Sequence, residues 1–322
     1  MIKLSRRHLL TGLTSLAAWP ARVWAHMRPQ REVLAFYYGW YGQGPHVGPF
    51  PDIPVGGDYD SLDAAVLSRQ VAQAKAAGIT GLIASWWGQN DRTDRQLPLL
   101  LDACAKHGLR VTAYIERANT VEEVAADTLY VYKTFGRHPA WLTCGGKPVI
   151  FYFDRLLQNL GLEGWDRARA LVESHVPQQL AFIGTANTTK EINERKTHFD
   201  ALHIYSMQFE AAHPRLFEGL WRQAFYASWV RAQSGAKVTT ATVLPGYDDH
   251  LLPERTGKRP IVNRGGGATY RRLWQAAIAA KTDWILIVSF NEWHEASQIE
   301  PSLQFGDREL ATTKEMAEQF MA

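Results

Sequence analysis

The residues best suited to chemistry are two glutamates three positions apart near the end of the chain. Glu292 and Glu295 lie in the segment 289–295, Ser-Phe-Asn-Glu-Trp-His-Glu, which directly follows the unbroken apolar run 284–288. Such a run is typical of a strand that is buried on both faces. Carboxyl groups are costly to place beside a buried strand, so a pair of them usually has a chemical function.

Cleavage of a glycosidic bond is the reaction that this pair suits best. A glycosidase needs one carboxyl group to protonate the leaving oxygen and a second group to assist at the anomeric carbon. Two carboxyl groups at close range push their pKa values apart, which leaves one protonated and the other ionised near neutral pH. We therefore predict that Glu292 and Glu295 are catalytic. The spacing alone leaves open that one of them faces solvent while the other caps a turn.

Zinc-dependent and serine-dependent hydrolysis are poorly supported by the sequence. The dipeptide His294-Glu295 invites comparison with the zinc motif His-Glu-x-x-His, but position 298 is Gln, so the second histidine is missing. The chain also has no Gly-x-Ser-x-Gly motif that would place a nucleophilic serine. We expect neither a metal nor an organic cofactor.

Composition and charge are those of an ordinary globular enzyme. Of the 322 residues, 46% are hydrophobic and 21% are charged, which is usual for a soluble domain. The net charge is +3, but residues 1–25 hold four basic residues and no acidic one, so the remainder has no basic stripe for nucleic acid. The two cysteines, Cys104 and Cys144, exclude a disulfide framework; two buried free thiols are favoured over a single disulfide.

The N-terminal segment has the features of an export signal. Residues 5–10, Ser-Arg-Arg-His-Leu-Leu, resemble the twin-arginine motif, a short apolar stretch follows, and residues 23–25, Val-Trp-Ala, suit signal peptidase. We predict a twin-arginine signal peptide over 1–25, recognition by the twin-arginine export machinery, and a periplasmic or secreted mature protein without stable membrane insertion. An uncleaved N-terminal anchor is the alternative.

The rest of the chain alternates strand-like and helix-like segments. Apolar runs that predict strands occupy residues 33–38, 79–86, 109–115, 148–153, 180–184, 201–205, 237–244 and 284–290. Segments with helical composition occupy residues 62–77, 96–107, 121–135, 161–175, 189–198, 214–233, 268–280 and 309–321. Eight such pairs predict one α/β domain over 26–322, a single (β/α)8 TIM barrel. A doubly wound open sheet is the alternative, but the Gly-rich phosphate loop expected after its first strand is missing.

Barrel enzymes build their active sites at the carboxyl ends of the strands. In this chain those ends carry aromatic rings, which stack on sugars, together with acids and amides, which bond to sugar hydroxyls. The substrate-binding residues predicted in this way are Tyr38, Trp40, Trp86, Trp87, Glu116, Asp154, Tyr205, Tyr247, Asp249, Asn291, Trp293 and His294. Taken singly, Glu116 and Asp154 fit a structural ion pair at least as well.

Several of these segments together resemble glycoside hydrolase family 99. The matching segments are 36–42 (Phe-Tyr-Tyr-Gly-Trp-Tyr-Gly), 85–87 (Ser-Trp-Trp), 245–249 (Pro-Gly-Tyr-Asp-Asp), 263–264 (Asn-Arg) with Gly267 and Tyr270, and 289–295 with 298–300 (Gln-Ile-Glu). They occur in the family's order from about residue 33 to residue 300. The chain is thus similar to endo-α-1,2-mannosidases and endo-α-1,2-mannanases, as a divergent bacterial member.

The resemblance implies a barrel enzyme that retains the anomeric configuration without a covalent glycosyl-enzyme. The glutamate matching Glu292 acts as a base on the substrate's own 2-hydroxyl, which attacks the anomeric carbon and forms a 1,2-anhydro sugar. The glutamate matching Glu295 protonates the leaving oxygen and then activates the water that opens the epoxide. Tyr247 and Glu116 match family residues in the cleft.

The sequence departs from the family at the segments that recognise the sugar. Where the family has His-Ile-Glu-Pro-Tyr and Tyr-Asp-Ser-Tyr, residues 114–118 are Tyr-Ile-Glu-Arg-Ala and residues 153–156 are Phe-Asp-Arg-Leu. The family's Ile-Arg-Pro-Trp-Asn is altered to Leu-Pro-Glu-Arg at 252–255, and its Glu-Gly-Thr-Gln to Glu-Ala-Ser-Gln at 295–298. We therefore expect an exported retaining endo-glycosidase for α-linked, mannose-containing oligo- or polysaccharides. The alternative is a non-catalytic glycan-binding or polysaccharide-assembly protein on the same barrel.

Overall fold

The computed structural model describes residues 29–42, 49–177, 179–212, 218–253, 255 and 259–322. The predicted signal segment, residues 1–25, lies outside these ranges. In the described part the strands are β1 (Glu32–Tyr37), β2 (Gly81–Trp86), β3 (Arg110–Ile115), β4 (Thr143–Cys144), β5 (Lys147–Tyr152), β6 (Ala181–Thr185), β7 (Ala201–His203), β8 (Thr240–Val243) and β9 (Trp284–Ile287). The helices are α1 (Ala64–Ala76), α2 (Arg92–His107), α3 (Val121–Phe135), α4 (Asp154–His175), α5 (Thr189–Arg195), α6 (Gln208–Ala211), α7 (Glu218–Ala232), α8 (Ala268–Ala279) and α9 (Arg308–Met321).

Eight of the strands are parallel and form a nearly closed barrel in the order β7-β6-β5-β3-β2-β1-β9-β8. The short β4 makes an antiparallel hairpin with β5 outside this order. The order follows the chain around the barrel, and helices lie between successive strands, as a (β/α)8 barrel requires. The predicted TIM barrel is confirmed.

Threonine hydroxyls join the two ends of this strand order, β7 and β8. Thr240 Oγ1 donates to the Leu202 carbonyl oxygen over 2.7 Å, and Thr242 Oγ1 donates to the Ile204 carbonyl oxygen over 2.5 Å. Each bond satisfies a backbone acceptor that would otherwise be buried without a partner. The side chains therefore complete the barrel where strand-to-strand backbone pairing ends.

Aromatic side chains fill the barrel interior beneath the strand ends. Phe36 contacts Tyr114, His203 and Tyr205 at ring-centroid distances of 5.0, 5.5 and 5.2 Å. Phe151 lies 5.4 Å from the same histidine. Burial lowers the pKa of His203 to about 3, so its ring is neutral and behaves as part of the core. The barrel is thus a filled core with its open space confined to one end.

Some element boundaries differ from those predicted. The helix expected at 96–107 begins at Arg92, because the Asp91 side chain accepts a hydrogen bond from the Thr93 amide and caps it. The helix expected at 161–175 begins at Asp154 and changes direction at Gly161, whose φ of 67° suits glycine. The helix α6 and the hairpin strand β4 were not predicted, and the predicted residues 214–217 lie outside the described ranges.

Two further expectations concern the cysteines and the membrane. Cys104 and Cys144 are both buried free thiols, and burial raises the pKa of Cys104 to about 12, which makes this thiol unreactive at neutral pH. In the part of the chain that the structure describes, every helix is too short or too polar to cross a bilayer.

Candidate active site

A cleft of about 440 Å³ opens at the carboxyl ends of the barrel strands. Both predicted catalytic residues, Glu292 and Glu295, line it, and each is almost fully buried by its neighbours. His294 of the same turn also lines the cleft, and the other lining residues lie at or after the ends of six other strands: Tyr38, Trp40, Pro49, Trp87, Tyr114, Glu116, Phe153, Arg155, Tyr205, Leu251, Leu252, Pro253 and Arg255. The strand ends therefore converge on one cavity, as in other barrel enzymes.

The chain after β9 forms a tight turn that carries both glutamates. Its backbone closes on itself: the Ser289 amide donates to Ser297 O over 2.8 Å and the Ile299 amide donates to Ser289 O over 3.0 Å. Arg264 ties the far side of the turn with hydrogen bonds of 2.9 Å to the carbonyl oxygens of Ala296 and Gln298. The turn is rigid enough to hold two side chains in fixed positions above the barrel.

Asn291 joins this turn to the first strand. Its Oδ1 accepts from the Tyr38 amide over 2.8 Å, and its Nδ2 donates to the Tyr38 carbonyl oxygen over 2.9 Å. The Tyr41 hydroxyl donates to Asn291 O and accepts from the Trp293 amide. These bonds pair the buried backbone groups on both sides of Glu292.

Glu292 is a buried carboxyl that, among the described residues, accepts hydrogen bonds from His294 alone. Its Oε1 accepts from the His294 amide over 3.1 Å and from the ring Nδ1 over 3.0 Å. Burial raises the pKa of Glu292 to about 7; the His294 hydrogen bond opposes this rise, and repulsion from Glu295 adds to it. Near neutral pH this group can therefore take up or release a proton readily.

Glu295 lies in a more polar setting that includes a cation. Its Oε2 accepts from the Tyr205 hydroxyl over 3.0 Å, and its Oε1 forms an ion pair with Arg255 over 2.9 Å. The Tyr247 hydroxyl lies 3.4 Å from the same Oε1. Arg255 also contacts Asp249 over 2.7 Å, and its own side chain is 41% exposed. The arginine thus stabilises the Glu295 carboxylate from a loop at the cleft mouth.

Glu116 is a third buried carboxyl in the same cleft. It accepts a hydrogen bond from Ser85 Oγ over 2.9 Å, and the Trp87 indole donates to that hydroxyl over 3.0 Å. Burial raises the pKa of Glu116 to about 8, and the Ser85 bond and the charge of Arg155 offset only part of this rise. At pH 7 Glu116 is therefore mainly protonated and can donate a hydrogen bond to a ligand.

The structure brings half of the predicted substrate-binding residues into the cleft and not the other half. Six line it: Tyr38, Trp40, Trp87, Glu116, Tyr205 and His294. The hydroxyls of Tyr38 and Tyr205 lie 2.6 Å apart, which links the first strand to Glu295 through Tyr205. Trp40 packs on Tyr38 at 4.6 Å and on Trp87 at 6.0 Å between ring centroids, so these rings form one aromatic surface.

Trp86 and Asp154 are corrections, because both side chains have partners elsewhere. Successive side chains on a strand point to opposite faces, so Trp86 points away from the cleft when Trp87 lines it. Its indole donates to Asp94 over 2.9 Å and is fully buried. Asp154 forms an ion pair with Arg195 over 2.7 Å, which is the structural role that the sequence left open.

The other four predicted residues lie behind the cleft and support it. Tyr247 and Asp249 contact Arg255, and through it they position the cation beside Glu295. Asn291 and Trp293 are fully buried and fix the turn, the indole of Trp293 lying 3.2 Å from Glu300. None of the four is among the residues that line the cleft, and their role in substrate binding stays a prediction.

Within the described residues no cluster of histidine, cysteine, aspartate or glutamate is arranged to hold a metal ion. The arrangement instead offers three carboxyl groups, two of them with raised pKa values, beside aromatic rings in a concave cavity. These are the groups that general acid–base cleavage of a sugar uses.

Comparison with known proteins identifies the family. The model of glycosyl hydrolase family 99 matches residues 48–314. The chain belongs to this family. It is therefore a glycoside hydrolase, and the predicted enzyme class is confirmed.

Several known proteins resemble this chain over most of its length. The glycoprotein endo-alpha-1,2-mannosidase of Mus musculus is 25% identical to this chain. The alignment covers 91% of this chain and 73% of that protein. The solved structure of the GH99 endo-alpha-mannosidase from Bacteroides thetaiotaomicron, in complex with bis-tris-propane, is 28% identical, covers 90% of this chain and 97% of its own, and superposes with a TM-score of 0.75. A solved glycoside hydrolase-like protein has a TM-score of 0.67 at 16% identity and shows the fold alone.

Two arginines of this family 99 cleft were not predicted from the sequence. Arg155 and Arg255 both line it, together with the rings of Tyr114 and Phe153. Arg155 directly follows Asp154 at a strand end, so a search there for cations as well as acids would have found it. Arg255 lies in a long loop after β8, where periodicity carries no signal, and only the fold places it beside Glu295.

The buried Glu116 makes the stability of the protein depend on pH. Because its folded pKa is about 8, above the ordinary value of 4.5, the folded state keeps a proton that the unfolded state releases between these pH values. The protonated Glu116 side chain therefore stabilises the folded state at low pH, and this stabilisation is lost as the pH rises from 4.5 to 8. We expect Glu116→Gln to be more stable than the wild type above pH 8 by about 2–4 kcal/mol.

Urea unfolding between pH 4.5 and 9 measures this effect. The matched control is Glu163→Gln, which removes an exposed carboxyl from helix α4 and should follow the wild-type curve. Equal pH slopes for Glu116→Gln and the wild type would show that Glu116 is ionised in the folded protein.

Proposed function

We propose that this protein is an exported, retaining endo-glycosidase that hydrolyses α-linked, mannose-containing glycans. The observation that carries the proposal is the pair Glu292 and Glu295 on one rigid turn in an aromatic-lined cleft. Membership of family 99 and similarity to proteins named endo-alpha-mannosidases support the reaction and the sugar.

In the first step the substrate's own 2-hydroxyl is the nucleophile. Glu292 accepts the proton of that hydroxyl, and the oxygen attacks the anomeric carbon while the glycosidic bond breaks. Glu295 gives its proton to the leaving oxygen, so the products are a free leaving sugar and a 1,2-anhydro sugar. A carboxyl whose pKa is raised to about 7 is a stronger base than an ordinary glutamate, which suits Glu292 to this role.

In the second step water opens the anhydro ring. Glu295, now a carboxylate, takes a proton from water, whose oxygen attacks the anomeric carbon. The bond from that carbon to O2 breaks, and Glu292 returns its proton to O2. Two inversions at the anomeric carbon give net retention, and both glutamates recover their starting protonation.

The ion pair with Arg255 places a condition on this cycle. Glu295 must carry a proton before bond cleavage, whereas the arginine stabilises its carboxylate. We infer that an entering glycan separates Arg255 from Glu295. The arginine keeps a second partner, Asp249, and is partly exposed, so it can leave Glu295 without losing every countercharge.

Variants of the two glutamates test the proposal. Glu295→Gln should lower kcat on an α-1,2-linked oligomannoside by about 10²–10⁴-fold, because glutamine cannot transfer the proton. Glu292→Gln should lose a similar factor. Product masses identify endo cleavage, and NMR of the first product identifies the anomeric configuration. The control Glu163→Gln should retain wild-type activity.

A modified substrate tests the role of the neighbouring hydroxyl itself. An oligomannoside methylated at O2 of the sugar that donates the anomeric carbon should not be cleaved, while the same sugar methylated elsewhere should remain a substrate. Undiminished hydrolysis by Glu295→Gln, or rapid cleavage of the O2-methylated substrate, would overturn the mechanism.

His294 should set the acidic limb of the pH profile. In the free enzyme kcat/KM should fall below about pH 7, as Glu292 becomes protonated. The His294 ring stabilises the carboxylate by a hydrogen bond of 3.0 Å and stacks on Tyr41. His294→Phe keeps the ring packing but loses that bond, so the limb should move up by about one pH unit.

The measurement is kcat/KM between pH 4.5 and 9 for the wild type and His294→Phe. His175→Phe, an exposed position at the end of helix α4, is the control and should leave the limb in place. If kcat/KM of His294→Phe falls at the same pH as that of the wild type, a group other than the Glu292–His294 pair causes the fall.

Export rests on the motif at residues 5–10, Ser-Arg-Arg-His-Leu-Leu, and on the apolar segment after it. The double change Arg6→Lys with Arg7→Lys should retain the protein in the cytoplasm, whereas the wild type should lose residues 1–25 and appear outside it. Cell fractionation and N-terminal mass analysis measure both. Export of the double variant at the wild-type level would contradict a twin-arginine route.

A further inference from the structure

Arg155 is a cation that lines the cleft and has no acidic partner among the residues that the structure describes. It lies in the first turn of helix α4, directly after β5, and its side chain is exposed at the cleft. The guanidinium carbon is 5.4 Å from the centre of the Trp87 ring and 5.5 Å from that of Phe153. Both distances are within the range of cation–π attraction, so the two rings hold the charge in place.

The second arginine of the cleft is different, because its charge is neutralised. Arg255 lies 2.7 Å from Asp249 and 2.9 Å from Glu295. Arg155 forms no ion pair with any residue of the described ranges. The carboxyl whose pKa its charge lowers is Glu116, but burial keeps that group mainly protonated at neutral pH. Within the described ranges, the positive charge of Arg155 is therefore not fully compensated.

The barrel order places Arg155 on the wall opposite the catalytic turn. Its strand β5 and the strand β9 that precedes Glu292 are four places apart in the order of eight. A group bound at Arg155 would thus lie across the cavity from the two catalytic carboxyls, where their negative charge repels it least. The group bound at Arg155 would thus be carried by a sugar some distance from the glycosidic bond that is cleaved.

We propose that the cleft recognises a glycan carrying an anionic substituent, and that the Arg155 guanidinium is the counter-ion for that substituent. A uronic acid carboxylate, a phosphate ester and a sulfate ester share the chemistry concerned, two oxygens that accept parallel N–H bonds from one guanidinium. This inference rests on the proposed glycan substrate and narrows its class.

The aromatic neighbours make Arg155 suited to this role. Long side chains usually lose rotamer freedom when they bind a ligand, and a guanidinium already held by two rings loses less. The hydroxyls of a neutral sugar can accept hydrogen bonds from the same guanidinium, but they leave its charge uncompensated. The site therefore favours an anion, whose charge-assisted bonds are stronger, over an unsubstituted sugar.

Binding measurements on a matched panel test the proposal. The probes are oligomannosides of one length that carry a carboxylate, a phosphate or a sulfate, with the unsubstituted oligomannoside as reference. Calorimetry with Glu295→Gln as the host prevents turnover during the titration. At least one anionic probe should bind about tenfold or more tightly than the neutral one, with an advantage that shrinks as salt increases.

Two variants in this host assign the effect. Arg155→Gln should remove the anionic advantage and leave the affinity for the neutral probe unchanged, and Arg155→Lys should restore only part of it because lysine cannot form the paired bonds. Arg167→Gln removes an equal charge from an exposed site on the same helix and should change nothing. The carboxylate, phosphate and sulfate arms identify which oxyanion is preferred.

The outcomes separate this inference from the proposed function. Three results would overturn the role of Arg155 even if the wild type cleaves mannosides. They are equal binding of neutral and anionic probes, an undiminished preference for anionic probes in Arg155→Gln, and no binding of any anionic probe at millimolar concentration. An Arg155-dependent preference in a protein that releases no product from any probe supports the subsite and overturns the hydrolytic proposal.

Discussion

The functional geometry depends on one constraint, the closed turn that follows the last barrel strand. Two glutamates can serve a single sugar only if their backbone does not move, and here bonds from Ser289, Arg264 and Asn291 hold it from three directions. Asn291 in particular joins the turn to Tyr38, so the beginning and the end of the barrel share one hydrogen-bonded unit. The rings of the cleft are placed relative to the acids by the same contacts.

The three carboxyl groups of the cleft differ in their surroundings. Glu116 and Glu292 are withdrawn from water and take few hydrogen bonds, so burial raises the pKa of each. Glu295 lies against Arg255 and two tyrosine hydroxyls, which compensate a negative charge. The cleft thus contains carboxyl groups that can donate or accept a proton near neutral pH. Acid–base cleavage of a glycosidic bond requires such groups.

The two walls of the cleft differ in their relation to family 99. The wall after β9 carries the segment 289–295, which resembles the family motif, and both of its glutamates line the cleft. The wall after β5 carries Phe153 and Arg155 where the resemblance leads one to expect a tyrosine and a serine. A serine bonds to neutral hydroxyls, whereas an arginine held against aromatic rings adds a fixed positive charge. The proposed catalytic pair and the proposed counter-ion of the glycan therefore lie on opposite walls of one cleft.

The sequence by itself determined the barrel, the end at which the cleft opens and the two glutamates that line it. Hydrophobic runs and glycine stops are local signals, and residues at the ends of parallel strands must meet whatever the details of packing. Only the tertiary structure decided which strand-end residues face the cavity: Trp87 lines it and Trp86 does not, and Asp154 is taken by Arg195. It alone brought Arg255 to Glu295 and left Arg155 without an acidic partner among the described residues, because such contacts join residues tens of positions apart. Side-chain direction at a strand end and long-range charge pairing depend on the packing of the whole barrel, and a linear pattern does not encode them locally.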